Sequence, residues 1–136
     1  MRILPGLLLA VTPLPCLAEG AVQIWDCHAK ALCPDVAGQP DKCGKIESVP
    51  HSFEIAPLKT DAEGQGGYRV THNGMSATGE GQSFTGPFEW TDDTGARDTL
   101  RAELRPDNAL LFELLHAAAD GSAPTTRTIL DCEVTQ

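Results

Sequence analysis

The most regular feature of the chain is an alternation of apolar and polar residues over 98–105. Leu100, Ala102 and Leu104 fall on one side, and Thr99, Arg101, Glu103 and Arg105 on the other. A period of two sends successive side chains to opposite faces, so this segment predicts a strand with one wet face. Residues 125–134 repeat the pattern, with Leu130, Cys132 and Val134 inward and Arg127, Asp131 and Glu133 outward. Three segments upstream read the same way. Residues 22–29 place Trp25, Cys27 and Ala29 on one face, with Val22 and Ile24 on the other. Residues 50–58 turn Phe53 and Ile55 inward, and 84–90 give Phe84, Phe88 and Trp90 one parity.

The punctuation between these segments supports strands. Residues 68–72 and 75–78 flank Asn73-Gly74, a pair suited to a type I′ hairpin turn with positive φ at both central residues. Residues 61–67, 92–95 and 106–108 are further turn signals. Residues 109–119 are ambiguous. Their Leu and Ala content, with Asn108 as an N-cap and Gly121 beyond the end, suits a helix. As a strand they put Leu110, Phe112, Leu114 and His116 on one face. The segment sits between two strongly alternating strands, and tertiary context outranks propensity, so a strand is expected. Seven to eight short strands at this spacing predict an all-β fold, a small antiparallel barrel or sandwich with meander-like order.

The N-terminus is set apart. Arg2, the apolar run 7–11 and the small-residue site around Ala18 read as a signal peptide over residues 1–18. The apolar run is too short for a membrane span of about 20 residues, so no membrane insertion of the mature chain is expected. Cys16 raises a lipid anchor, but Pro15 stands where a lipoprotein signal needs a small flexible residue, and soluble export is preferred. Residues 19–136 then form a single β-rich domain. Removing Arg2 with the leader leaves nine basic against nineteen acidic residues, a net charge of −10. That sign disfavours nucleic acid and anionic membrane surfaces, and leaves a cationic partner or plain solubility.

Four cysteines remain, Cys27, Cys33, Cys43 and Cys132. An even number in an exported chain reads as two disulfides, and three connectivities are possible. Cys33 and Cys43 flank a short polar loop, whereas Cys27 and Cys132 lie on inward faces of the first and last strands. The expected pairs are therefore Cys33–Cys43 and Cys27–Cys132, which would make the terminal strands neighbours and close the sheet. Export and disulfides together imply a periplasmic or secreted location.

Candidate chemistry is sparse. His28, His51, His72 and His116 are scattered singly along the chain, without a paired metal-ligand spacing. Cys27, His28, Cys33 and Cys43 make a conceivable ligand set, but disulfides are the better use of those thiols. Ser76, Ser83 and Ser122 lack a nucleophile elbow. The runs 64–67 and 79–81 are glycine-rich but lack the lysine and following helix of a phosphate cradle. Asp92-Asp93 lacks the spacing of a calcium loop. No catalytic, cofactor-binding or metal residue is assigned, and no cofactor or enzymatic activity is expected. Trp25 beside Cys27 is expected to pack over a disulfide, and Phe84, Phe88 and Trp90 to pack in the core.

The combination of Trp25-x-Cys27 after a signal peptide, short alternating strands and a closing Cys132-Glu133 resembles small uncharacterised exported proteins of Gram-negative bacteria. More loosely, the terminal-cysteine barrel plan is similar to the MliC family of periplasmic inhibitors of c-type lysozyme. Gly66-Gly67-Tyr68 is only a fragment of that family's inhibitory loop, so no reactive residue is carried over. Two functions follow as expectations. One is a non-enzymatic binding domain, inhibitor-like toward a cationic protein. The other is a lipocalin-like carrier of a small apolar ligand, which needs an open apolar pocket of about 300 Å³ or more.

Overall fold

The computed structural model describes residues 20–34, 43–121 and 125–136. The leader at 1–18 with Cys16, most of the loop between Cys33 and Cys43, and Ser122 lie outside the described residues. Nine strands follow one another: β1 (Gln23–Pro34), β2 (Gly44–Lys45), β3 (Pro50–Thr60), β4 (Gly66–His72), β5 (Met75–Gly81), β6 (Phe88–Thr91), β7 (Arg97–Leu104), β8 (Leu110–Ala117) and β9 (Thr126–Thr135). Each of β3 to β9 pairs antiparallel with its sequence neighbour, and β9 returns to pair with β1. Eight strands thus form a closed antiparallel barrel, and two-residue β2 continues the line of β3 along the far half of β1.

Closure rests on the terminal cysteines. Cys27 and Cys132 are direct cross-strand partners with Cα atoms 4.0 Å apart, and their sulfurs are bonded. Cys33 and Cys43 form the second disulfide. Both expected pairs are present, and two disulfides suggest an oxidising compartment. Among the described residues no helix is long and apolar enough to cross a membrane.

The interior is filled by the inward faces of the strands. Trp25, Phe53, Ile55, Tyr68, Val70, Phe88, Trp90, Leu100, Phe112, Leu114 and Leu130 form one buried cluster. Trp25 meets Phe88 and Phe112 edge to face, with ring centroids 6.1 and 5.6 Å away. Gly79 on β5 lets the β6 backbone approach, and Gly81 leaves room for the rings of Tyr68 and Phe88. A methyl group at Gly81 would lie 2.5 Å from Tyr68 Cε2 and 2.9 Å from Phe88 Cδ1. The run 79–81 therefore serves packing.

The turns sort into two ends. Residues 73–74, 92–96 and 118–121 lie at one, here the Asn73 end; 61–65, 82–87 and 105–109 lie at the other, the Gly64 end. Asn73 and Gly74 both have positive φ, as the hairpin signal requires. At the Gly64 end the polar atoms of the large rings find partners. Tyr68 Oη donates to Gly64 O at 2.6 Å, Trp25 Nε1 to Gln23 Oε1 at 3.0 Å, and Gln23 Nε2 to Phe84 O at 2.5 Å.

Several expectations need correction. The segment 84–90 is a strand only from Phe88 onward. Pro87 has no N–H for a ladder, and Phe84 sits in the preceding turn, its N–H bonded to Glu63 O. The first strand runs on to Pro34, and Val22 precedes it. Leu104, Leu110 and Val134 have inward parity, yet they are 64%, 58% and 40% exposed. They sit near strand ends at the Gly64 end, where inward parity no longer means burial. Residues 109–119 do form a strand, Leu110–Ala117, as the meander context implied.

Candidate functional site

The Asn73 end of the barrel gathers polar groups that lie far apart in the chain. His51 precedes Phe53 and Ile55 on the inward face of β3, and His72 follows Tyr68 and Val70 on β4. Asp98 shares parity with Leu100 on β7, and His116 with Phe112 and Leu114 on β8. Each is the polar terminus of an inward-facing run. Barrel closure brings these termini to one mouth.

Two pairs result. His51 Nδ1 and His72 Nε2 are 3.0 Å apart. Phe53 stacks on His72 with centroids 4.4 Å apart, and Trp90 meets the His72 ring edge on at 6.1 Å. An N···N hydrogen bond requires one lone pair, so at least one ring is neutral. Burial pushes the His72 pKa down to about 4, helped by the charge of His51, and burial also lowers that of His51. The second pair is His116 Nδ1 with Asp98 Oδ1 at 2.6 Å. Burial raises the Asp98 pKa, and the hydrogen bond and charge of His116 oppose that rise.

Asp92 completes the mouth from the β6–β7 turn. Its Oδ1 accepts from the Thr94 and Ala96 amides at 2.9 and 3.0 Å and from Thr94 Oγ1 at 2.6 Å. Those bonds hold its carboxyl below the usual range, the Thr94 side chain contributing most. A cavity of about 240 Å³ opens among His72, Met75, Ala77, Trp90, Asp92 and Asp98. A larger hollow of about 880 Å³ lies between β5, β6 and β7, and is lined largely by polar side chains such as Gln65, Thr78, Glu80, Glu89 and Arg97.

Among the described residues the other candidates do not assemble. Cys27, Cys33 and Cys43 are in disulfides, and His28 is exposed on β1. Ser76 bonds Thr71 Oγ1 at 2.8 Å, and Ser83 bonds Gly86 O at 2.8 Å. Neither of these two hydroxyls meets a histidine.

A third feature lies on the outer face. Asp26 on β1 stands directly opposite Glu133 on β9, and Glu54 on β3 lies on the diagonal from Asp26. All three are exposed. Asp131 nearby is paired with Lys30 at 3.0 Å. Like charges directly opposite in a ladder are destabilising. The alternation over 125–134 turns Asp131 and Glu133 outward, but only the β1–β9 register puts Asp26 across from Glu133.

The neutral His72 has a testable consequence. An unfolded chain protonates this ring near 6.5 and the folded chain only near 4. As pH falls, the unfolded state binds the proton first, so the contribution of His72 is fully present above about 6.5 and gone by about 4. Solvent screening of this partly exposed ring reduces that difference to roughly 1–2 kcal/mol. Urea denaturation should show a steeper loss of stability over this window than in His72→Phe. Equal slopes, or an imidazole titration of His72 near 6.5 by NMR, would refute the assignment.

Comparison with family models, with curated proteins and with solved structures finds no match.

Proposed function

We propose that the chain is a non-enzymatic binding domain of the periplasm or extracellular space, and that its partner is a cationic protein. The observation that carries this reading is the opposition of Asp26 and Glu133, with Glu54 beside them, on an exposed sheet face. A ladder that opposes two carboxylates gives up a few tenths of a kcal/mol of its own stability. A lysine or arginine from a partner would relieve that repulsion on binding. The net charge of −9 for the whole chain adds long-range attraction of the same sign. A filled barrel centre also supports a surface binder over a lipocalin-like carrier. The mouth cavity, about 240 Å³, is smaller than an ordinary ligand pocket, and the larger hollow is polar and external.

Titration against a basic protein such as a c-type lysozyme tests the reading. Binding is expected at low ionic strength, weakening as salt shortens the screening length. The double variant Asp26→Asn, Glu133→Gln should weaken it about tenfold, a loss of ~1.4 kcal/mol, while leaving the fold intact or slightly more stable. No binding at low salt, or binding indifferent to the double variant, would remove this function.

A further inference from the structure

The barrel mouth carries an arrangement that the binding reading does not use. Asp98 is only 6% exposed, yet it is a carboxylate on the inward face of a barrel. Its Oδ1 is hydrogen-bonded to His116 Nδ1. Its Oδ2 makes no hydrogen bond among the described residues, while no fully buried side-chain oxygen or nitrogen there lacks a partner. Oδ2 therefore reaches solvent, through the cavity that Asp98 lines. Asp92 lines the same cavity, and its Oδ1 is committed to the turn, so Oδ2 is its available oxygen. One ligand atom from each of Asp92, Asp98 and His116 lies within 4.8 Å of the others.

We propose that Asp92, Asp98 and His116 form a binding site for a first-row divalent metal ion of the zinc class. Zinc bonds to imidazole nitrogen and carboxylate oxygen at about 2.0–2.2 Å, which sets two ligands of a tetrahedral site roughly 3.4 Å apart. Ligand atoms within 4.8 Å of one another therefore close by at most about 1.4 Å, a movement that side-chain rotation supplies. The ion takes the place of the proton shared by His116 and Asp98, whose short contact is replaced by two metal bonds. Asp92 is fixed by three hydrogen bonds within its turn, and Asp98 by burial, so two of the three ligands are held before the ion arrives. The imidazole of His116 is 48% exposed and lies on the entry side. Three protein ligands leave at least one coordination position for water or an exogenous group. The donor set also selects among ions. Imidazole is a poor ligand for calcium, which takes six to eight oxygens, and suits zinc and its neighbours. The site lies at the Asn73 end and is independent of the acidic outer face.

Calorimetric titration of Zn(II) into the chelator-treated, dialysed protein tests the proposal. One equivalent should bind, with Ca(II) at least about tenfold weaker. Asp98→Asn and His116→Ala should each weaken Zn(II) by about tenfold or more. Asp92→Asn, on an exposed turn whose bonds an amide oxygen can keep, should do the same and guards against a loss of fold in the buried variant. His28→Ala removes an exposed imidazole elsewhere and should change nothing. In the unmodified chain, Zn(II) should shift the NMR signals of the His116 ring. No binding below ~1 mM, binding that survives Asp98→Asn and His116→Ala, or shifts confined to His28, or to His51 and His72, would overturn the assignment.

Discussion

Replacing Cys27 and Cys132 together by alanine is expected to destabilise the fold by about 4–5 kcal/mol on the chain-entropy relation. The two cysteines are 105 residues apart, so their bond restricts nearly the whole unfolded domain. Cys33 and Cys43 are ten apart, and the same relation gives about 2.7 kcal/mol for them. Cys27 and Cys33 are both buried, 1% and 0% exposed, and both lie where β1 pairs with β9, so the length of the closed loop sets the order. A domain of this kind is held by about 5–15 kcal/mol in all, so the first double variant stands near the limit of folding. Urea denaturation of the two double variants, compared with the parent, checks the order. If Cys33/Cys43 proved the costlier pair, closure of the barrel would owe little to the terminal tie.

What could be read from the chain was which face each residue takes. The alternation in 98–105 and 125–134 marked β7 and β9, Asn73-Gly74 marked the hairpin, and Trp25, Cys27, Phe53 and Ile55 were correctly turned inward. Parity alone stops short of depth. Leu104, Leu110 and Val134 have the right face but lie near the end of the barrel, and Phe84 has the right parity across a turn that is not strand. Register was the larger gap. His51, His72, His116 and Asp98 each end an inward-facing run, which was a visible signal, but four separate strands have to be aligned before they meet. Asp26 and Glu133 needed the same information. Cross-strand neighbours are set by closure, and single-strand patterns contain no term for it.

Glu113 shows the same gap on the outer face, and removing it carries the second large expected effect. By parity it points away from the core, between inward-facing Phe112 and Leu114. Its side chain is nevertheless only 1% exposed. Arg101, its direct partner on β7, donates from Nε to Oε2 at 2.5 Å, and Arg127 on β9 donates from Nη1 to Oε1 at 3.0 Å. The two guanidinium groups flank one carboxylate from the strands on either side. Beside them Cys33 is fully buried. The extra residue at the bulge between Ala29 and Ala31 re-aims β1, so that Cys33 pairs with Arg127 and shares its face. Glu113→Ala removes the carboxylate that both guanidinium groups share, and leaves Arg101 and the largely covered Arg127 to repel one another across its place. Breaking a buried ion pair in this way costs about 3–5 kcal/mol. Glu103→Ala, an exposed acid on β7, should cost less than about 0.5 kcal/mol. A third variant separates charge from shape. Arg101→Met, Glu113→Leu and Arg127→Met together remove all three charges and keep the bulk, and should recover most of the loss, because well-packed apolar replacements of buried ion triads are often neutral or stabilising. Chemical denaturation of the three variants decides the matter. A triple variant as unstable as Glu113→Ala would mean that the outer face needs the charges themselves, and that the triad does more than satisfy its own burial.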